Sequence, residues 1–100
     1  MTTDPTFRMI VQDVFYIKTR GTVVTGKIES GSISVGDEIR IQGKNSSKTT
    51  VVTGVEVGRK VVTRAQAGDI IGILLKDISG EDVQQGDTLT GSELDFTWKP

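Results

Sequence analysis

Neither cysteine nor histidine occurs among the 100 residues. Their absence rules out a disulfide framework and thiolate metal sites, and it removes the commonest metal ligand and general base. Most familiar hydrolytic and zinc chemistries are therefore closed to this chain. The sequence also lacks a Gly-x-x-x-x-Gly-Lys-Ser/Thr phosphate loop, and its glycines precede strand-like rather than helix-like segments, so no helix N-terminus is offered to a phosphate. The longest strongly apolar run, Ile70 to Leu75, is far shorter than the roughly 20 residues of a membrane helix. The polar N-terminus has no secretory apolar region, so the expected location is the cytoplasm, with no membrane partner. Serines are plentiful, but none has a histidine to activate it. The adjacent carboxylates Asp37-Glu38 and Glu81-Asp82 sit where turns are expected, and acidic residues are commonplace in turns. Enzyme is thus the weakest class, with no catalytic residue and no metal site expected.

What remains is an ordinary globular composition, 35% hydrophobic and 25% charged, in a length that admits one core and one domain. Net charge is −1, which argues against broad electrostatic binding of nucleic acid. The charge is unevenly spread: residues 1–64 carry 10 basic and 6 acidic side chains, residues 65–100 carry 2 and 7. A local basic surface near Lys18, Arg20, Arg59, Lys60 and Arg64 is compatible with that split, as are solvated loops without a ligand.

The stretch from Arg20 to Asp37 organises the rest. Val23, Thr25, Lys27 and Glu29 alternate with Thr22, Val24, Gly26 and Ile28, the two-residue period of a strand. Gly31 breaks the run, Ile33 and Val35 resume it, and Gly36-Asp37 supplies a second turn before a strand from Glu38 to Gln42. The stretch reads as a β-hairpin. Upstream, Phe7, Met9, Val11, Phe15 and Ile17 are expected on one face of a long first strand. Asp13 interrupts that face, which predicts either a bulge that re-aims the chain or a site. Downstream come a polar loop from Gly43 to Ser47, an extended segment from Lys48 to Val57, a loop with partial structure of its own over residues 58–67 and the run Ile70 to Leu75, expected to be a fully buried strand. Gly26 and Gly54 in mid-strand mark a bend, a bulge or a close backbone approach. Gly-Asp turn chemistry recurs at Gly36-Asp37, Gly68-Asp69 and Gly86-Asp87, the last before a closing strand from Thr88. Seven or so short strands with glycine turns and no sustained helical period predict an all-β, small closed barrel, because closure removes exposed strand edges. Residues 1–6 are expected to form a flexible leader, 7–91 the barrel and 92–100 a tail whose Phe96 and Trp98 lack an obvious partner.

The runs Val11-Gln12-Asp13-Val14-Phe15, Arg20 to Glu29, Val35-Gly36-Asp37, Thr49-Thr50-Val51, Thr53 to Glu56, Ala67-Gly68-Asp69, Gly72 to Leu75 and Gln85-Gly86-Asp87 resemble the second domain of translational GTPases, and among them that of elongation factor Tu. Similarity spans about Met9 to Leu89. The resemblance implies a closed six-stranded antiparallel Greek-key barrel that sits beside a GTP-binding domain and helps hold the aminoacylated 3′ end of tRNA, or in related factors leans on ribosomal RNA. It places the terminal adenosine at Ile17, Val23, Glu56 and Leu74, with Arg20 and Arg59 near the RNA and Asp13 beside the amino-acid end. The remaining polar groups of that end are replaced: Gln12 stands for a glutamate, Gly58 for a histidine and Ile70 for an asparagine, while Thr19 stands for a glycine. No cofactor is expected in this chain, since GTP would belong to an absent domain; the chain is expected to be an independent barrel, the start of a longer protein or an excised domain. Two functions follow as expectations: a non-catalytic RNA- or ribosome-binding module, or a barrel that has lost RNA and binds protein.

Overall fold

The computed structural model describes residues 4–91. Ten strands follow one another: β1 (Arg8–Ile10), β2 (Asp13–Ile17), β3 (Gly21–Ser30), β4 (Ser32–Ser34), β5 (Glu38–Gln42), β6 (Ser47–Val57), β7 (Lys60–Val62), β8 (Arg64–Gln66), β9 (Ile70–Leu75) and β10 (Thr88–Gly91). All pairings are antiparallel. Six strands close a ring in the order β1, β3, β9, β6, β5, β10 and back to β1, with β2 continuing β1 along β3 and β7 added to β6. Within it β5, β6 and β9 are successive neighbours and β10 returns beside β5, which is Greek-key connectivity. Among the described residues there is no helix, hence none long and apolar enough to cross a membrane.

The three Gly-Asp turns are one device used three times. Gly36, Gly68 and Gly86 have φ of 96°, 96° and 95°, a conformation that glycine adopts without a side-chain clash. The following aspartate accepts a hydrogen bond from the backbone N–H three residues earlier: Asp37 from Ser34, Asp69 from Gln66 and Asp87 from Gln84. Each turn then launches a strand of the ring. Asp4, in the segment expected to be a leader, ties Thr6 and Ser32 through its carboxylate.

Inside the ring, β3 presents Val24 and Ile28 to Met9, Ile39, Ile41, Val52, Val55, Ile73 and Leu89, all essentially buried. Its even-numbered residues face inward, as the alternation predicts. Gly26 lies on this inward face because Ile10 crosses it; a Cβ there would overlap the Ile10 carbonyl oxygen and press on Met9. The expected close backbone approach is therefore present.

Three expectations are corrected. Arg20 to Asp37 is no hairpin: β4 leaves β3 and pairs with β8 as a separate ribbon, carrying Ile33 and Ala65 into the core. The long first strand is broken. Met9 lies opposite Ile28, whereas Asp13 lies opposite Thr25 rather than Val24, so one extra residue sits between Ile10 and Asp13. A one-residue slip turns every later side chain to the other face. Phe7, Met9 and Val11 are buried, but Phe15 and Ile17 are 52% and 39% exposed, and Asp13 faces outward with them, the bulge outcome of the two offered for it. Third, β9 is buried on one face only: Ile71, Ile73 and Leu75 point inward while Ile70 is 66% exposed. A second bulge, predicted by the mid-strand glycine, lies in β6, where Val52 faces Leu75 and Gly54 faces Leu74, leaving Thr53 unpaired in the ladder. Phe96 and Trp98 lie outside the described residues.

Candidate functional site

The outer face of β2, β3, β9 and β6 is built in rows by the strand register. Phe15, Val23, Leu74 and Gly54 form one row, and Asp13, Thr25, Gly72 and Glu56 the next, continuing to Val61 of β7. Both bulges are needed for this arrangement. Without the first, Phe15 and Ile17 would point into the core; without the second, Gly54 and Glu56 would.

Within these rows lies a small pocket lined by Ile17, Arg20, Val23, Gly54, Glu56, Gly72 and Leu74, with a volume of about 40 Å³. Ile17, Val23 and Leu74 supply aliphatic walls. Gly54 and Gly72 supply the floor: a Cβ on Gly54 would lie 3.4 Å from Leu74 Cβ, and one on Gly72 would lie 3.6 Å from Val23 Cγ1. The depression exists because those two side chains are missing. At its edge Arg20 Nη1 donates a hydrogen bond to Glu56 Oε2 at 3.3 Å, with both side chains partly exposed at 45% and 38%. An apolar floor and walls with one carboxylate and one guanidinium suit a flat ring that carries a hydroxyl donor.

Of the seven residues predicted from the sequence, the structure brings together Ile17, Arg20, Val23, Glu56 and Leu74. Asp13 shares their face but lies at the far end of its row, three strands from Glu56, about 14 Å at the usual strand spacing. Arg59 lies in the exposed turn between β6 and β7, outside the pocket lining. Sequence reasoning missed Gly54 and Gly72 as floor residues and the contact between Arg20 and Glu56. Mid-strand glycine was the available signal for the floor.

A groove of about 630 Å³ adjoins the pocket at the barrel end, lined by Tyr16, Arg20, Gly21, Thr53 and the segment from Leu75 to Ser79. That segment is held from below: Thr50 Oγ1 donates to the Lys76 carbonyl, Thr22 Oγ1 to the Ile78 carbonyl, and the Lys76 N–H to the Val51 carbonyl.

The turn carboxylates have structural employment. Asp37 is buried and accepts from Ser34 N–H. Asp82 is held below the usual carboxylate range first by its hydrogen bond from Lys48 Nζ, at 2.8 Å, and then by Ser79 N–H. Asp4 is lowered too, first by the Thr6 hydroxyl. Among the described residues no three acidic side chains gather closely enough to hold a metal ion.

Against known families, the model described as elongation factor Tu domain 2 matches residues 21–90. Val23, Glu56, Arg59 and Leu74 fall inside the matched stretch, and Asp13, Ile17 and Arg20 lie just before it.

Proposed function

Because the chain belongs to the elongation factor Tu domain 2 family, a translation-factor β-barrel, we propose that it is a non-catalytic module of translation whose outer face binds RNA, through the 3′-terminal nucleoside of a tRNA acceptor end or by leaning on ribosomal RNA. The observation that carries this reading is the convergence of Ile17, Val23, Leu74, Arg20 and Glu56 from four strands and a turn onto one glycine-floored pocket. The base lies against the branched aliphatic walls. A ribose hydroxyl donates to Glu56, and the 2′-hydroxyl in that role lets the site prefer RNA over DNA. Arg20, already oriented by Glu56, meets phosphate and fixes position without reading sequence. Any GTP is bound by another domain, and the setting is the cytoplasm.

An aminoacyl group on that nucleoside receives little polar grip. Of the positions expected around it, Asp13 and Gln12 keep a polar side chain, whereas Gly58, in an exposed turn, and Ile70, which is 66% exposed and apolar, offer none. The same observation favours a second reading, a barrel docked on a protein such as a GTP-binding domain: Phe15, Ile17, Ile70 and, at 77% exposure, Val61 share one face.

An amide-resolved NMR titration with a short CCA-ended RNA, and with the same RNA lacking its terminal adenosine, separates the two. Shifts at Ile17, Val23, Glu56 and Leu74 that require the adenosine support the first reading. Absence of shifts at millimolar RNA would end it in favour of a protein partner.

A further inference from the structure

The pocket and the groove at the barrel end are two sides of one rim. Tyr16, Thr53 and Leu75 line the groove, and their immediate neighbours Ile17, Gly54 and Leu74 line the pocket. In β2 and β9 successive residues point to opposite faces, and in β6 the bulged Thr53 adjoins Gly54, so the wall between the two concavities is one residue thick, about 3.4 Å along the chain. Arg20 lines both. It stands on the rim in the turn between β2 and β3, using one N–H of its guanidinium on Glu56 and leaving others, of the five it carries, for an anion crossing there.

The far side has its own chemistry. Tyr16 is 67% exposed, the most open aromatic side chain among the described residues, and it faces a groove roomy enough for a nucleobase. Lys76 also lines the groove; with Arg20 it outnumbers Asp77, the one acidic residue of the lining among the described residues. An accessible ring flanked by cations is the combination that holds single-stranded nucleic acid, by stacking on the base and attraction of the backbone. Packing among the described residues leaves two thirds of Tyr16 open.

We propose that this groove is a second nucleotide subsite, in which the base 5′ to the terminal nucleoside stacks on Tyr16 while the phosphate joining the two crosses the rim at Arg20. The proposal rests on the reading of the pocket as a nucleoside site. It takes any base, because every base has a stacking face, and its ligand is an RNA of at least two nucleotides. The chain crosses from the outer face of the barrel to its end within a single phosphodiester.

The test compares adenosine with the dinucleotide CpA, bearing a free 3′ hydroxyl, on the protein and on Tyr16→Ala and Tyr16→Phe. Binding is read by amide shifts and by the ring protons of Tyr16, which are unambiguous because the chain has a single tyrosine. CpA should bind on the order of tenfold more tightly than adenosine, shift the Tyr16 ring protons upfield, lose its advantage in Tyr16→Ala and keep it in Tyr16→Phe. Adenosine affinity should be the same in all three proteins, which also shows that the variants are folded. If adenosine binds but CpA binds no better, or its advantage survives Tyr16→Ala, the second subsite is wrong and the pocket reading stands. If neither ligand binds, both fall.

Discussion

Arg20 and Glu56, 36 residues apart in the chain, meet at 3.3 Å on the edge of the pocket. The pair joins the β2–β3 turn to β6 and orients the two charged groups that line this pocket among the described residues. Because both side chains are partly exposed, an ion pair of this kind contributes at most about 1 kcal/mol to stability. Its main consequence is the placement of an acceptor and a cation beside an apolar wall.

Glu56→Gln should therefore leave the fold intact, with a melting temperature within about 5 °C of the parent. Affinity for a CCA-ended RNA should fall several-fold, because the amide oxygen still accepts the ribose hydroxyl but without the charge that strengthens the bond. Calorimetric titration and a thermal melt measured together check both halves; unchanged affinity would remove Glu56 from the site.

Gly72→Ala tests the floor. The new methyl would sit at ordinary contact distance, 3.6 Å from Val23 Cγ1 and 3.9 Å from Thr25 Cγ2, so stability should change by no more than about 0.5 kcal/mol. The pocket loses part of its small volume, and adenosine binding should drop several-fold. A variant that is stable and binds like the parent would mean that the ligand does not reach the floor.

Gly26→Ala makes the opposite prediction. Its Cβ would collide with the Ile10 carbonyl, which is backbone and cannot swing aside, and with Met9 at 3.1 Å. Overpacking of this kind should destabilise the barrel by about 3 kcal/mol, lowering the melting temperature by roughly 10 °C or more. Denaturant unfolding gives the value directly, and a loss below about 1 kcal/mol would show that the β1–β3 crossing has more room than the structure indicates.

Acid should weaken the fold through Asp4 and Asp82, both held below the usual carboxylate range. A carboxyl whose folded value is depressed adds stability above its unfolded value, and that stability disappears as pH falls through the folded value. The melting temperature should be level above about pH 5 and decline below about pH 4. In Lys48→Met, which removes the largest cause of the Asp82 shift, the decline should be shallower. Identical profiles for the two proteins would assign the acid sensitivity elsewhere.

Strand positions and turns were legible in the sequence because their causes are local. Val24, Gly26 and Ile28 show their inward face by alternation alone, and Gly36-Asp37, Gly68-Asp69 and Gly86-Asp87 carry in two adjacent residues both the backbone conformation and the acceptor that close a turn. A closed barrel follows from many such short strands, and the matching runs identified which barrel. The resemblance also named five of the seven pocket-lining residues, although not what they would touch.

Only the tertiary structure decided which way those residues face. Ile17 shares the parity of buried Met9, and Glu56 that of buried Val52, so alternation counted along the chain sends both into the core. Each is turned outward by one extra residue, before Asp13 in one strand and at Thr53 in the other. A bulge is a property of a strand and its partner together: it depends on the register that β3 and β9 impose from across the sheet, which no local pattern records. The meeting of Arg20 with Glu56 has the same origin, since β6 and the β2–β3 turn come together only when the ring closes.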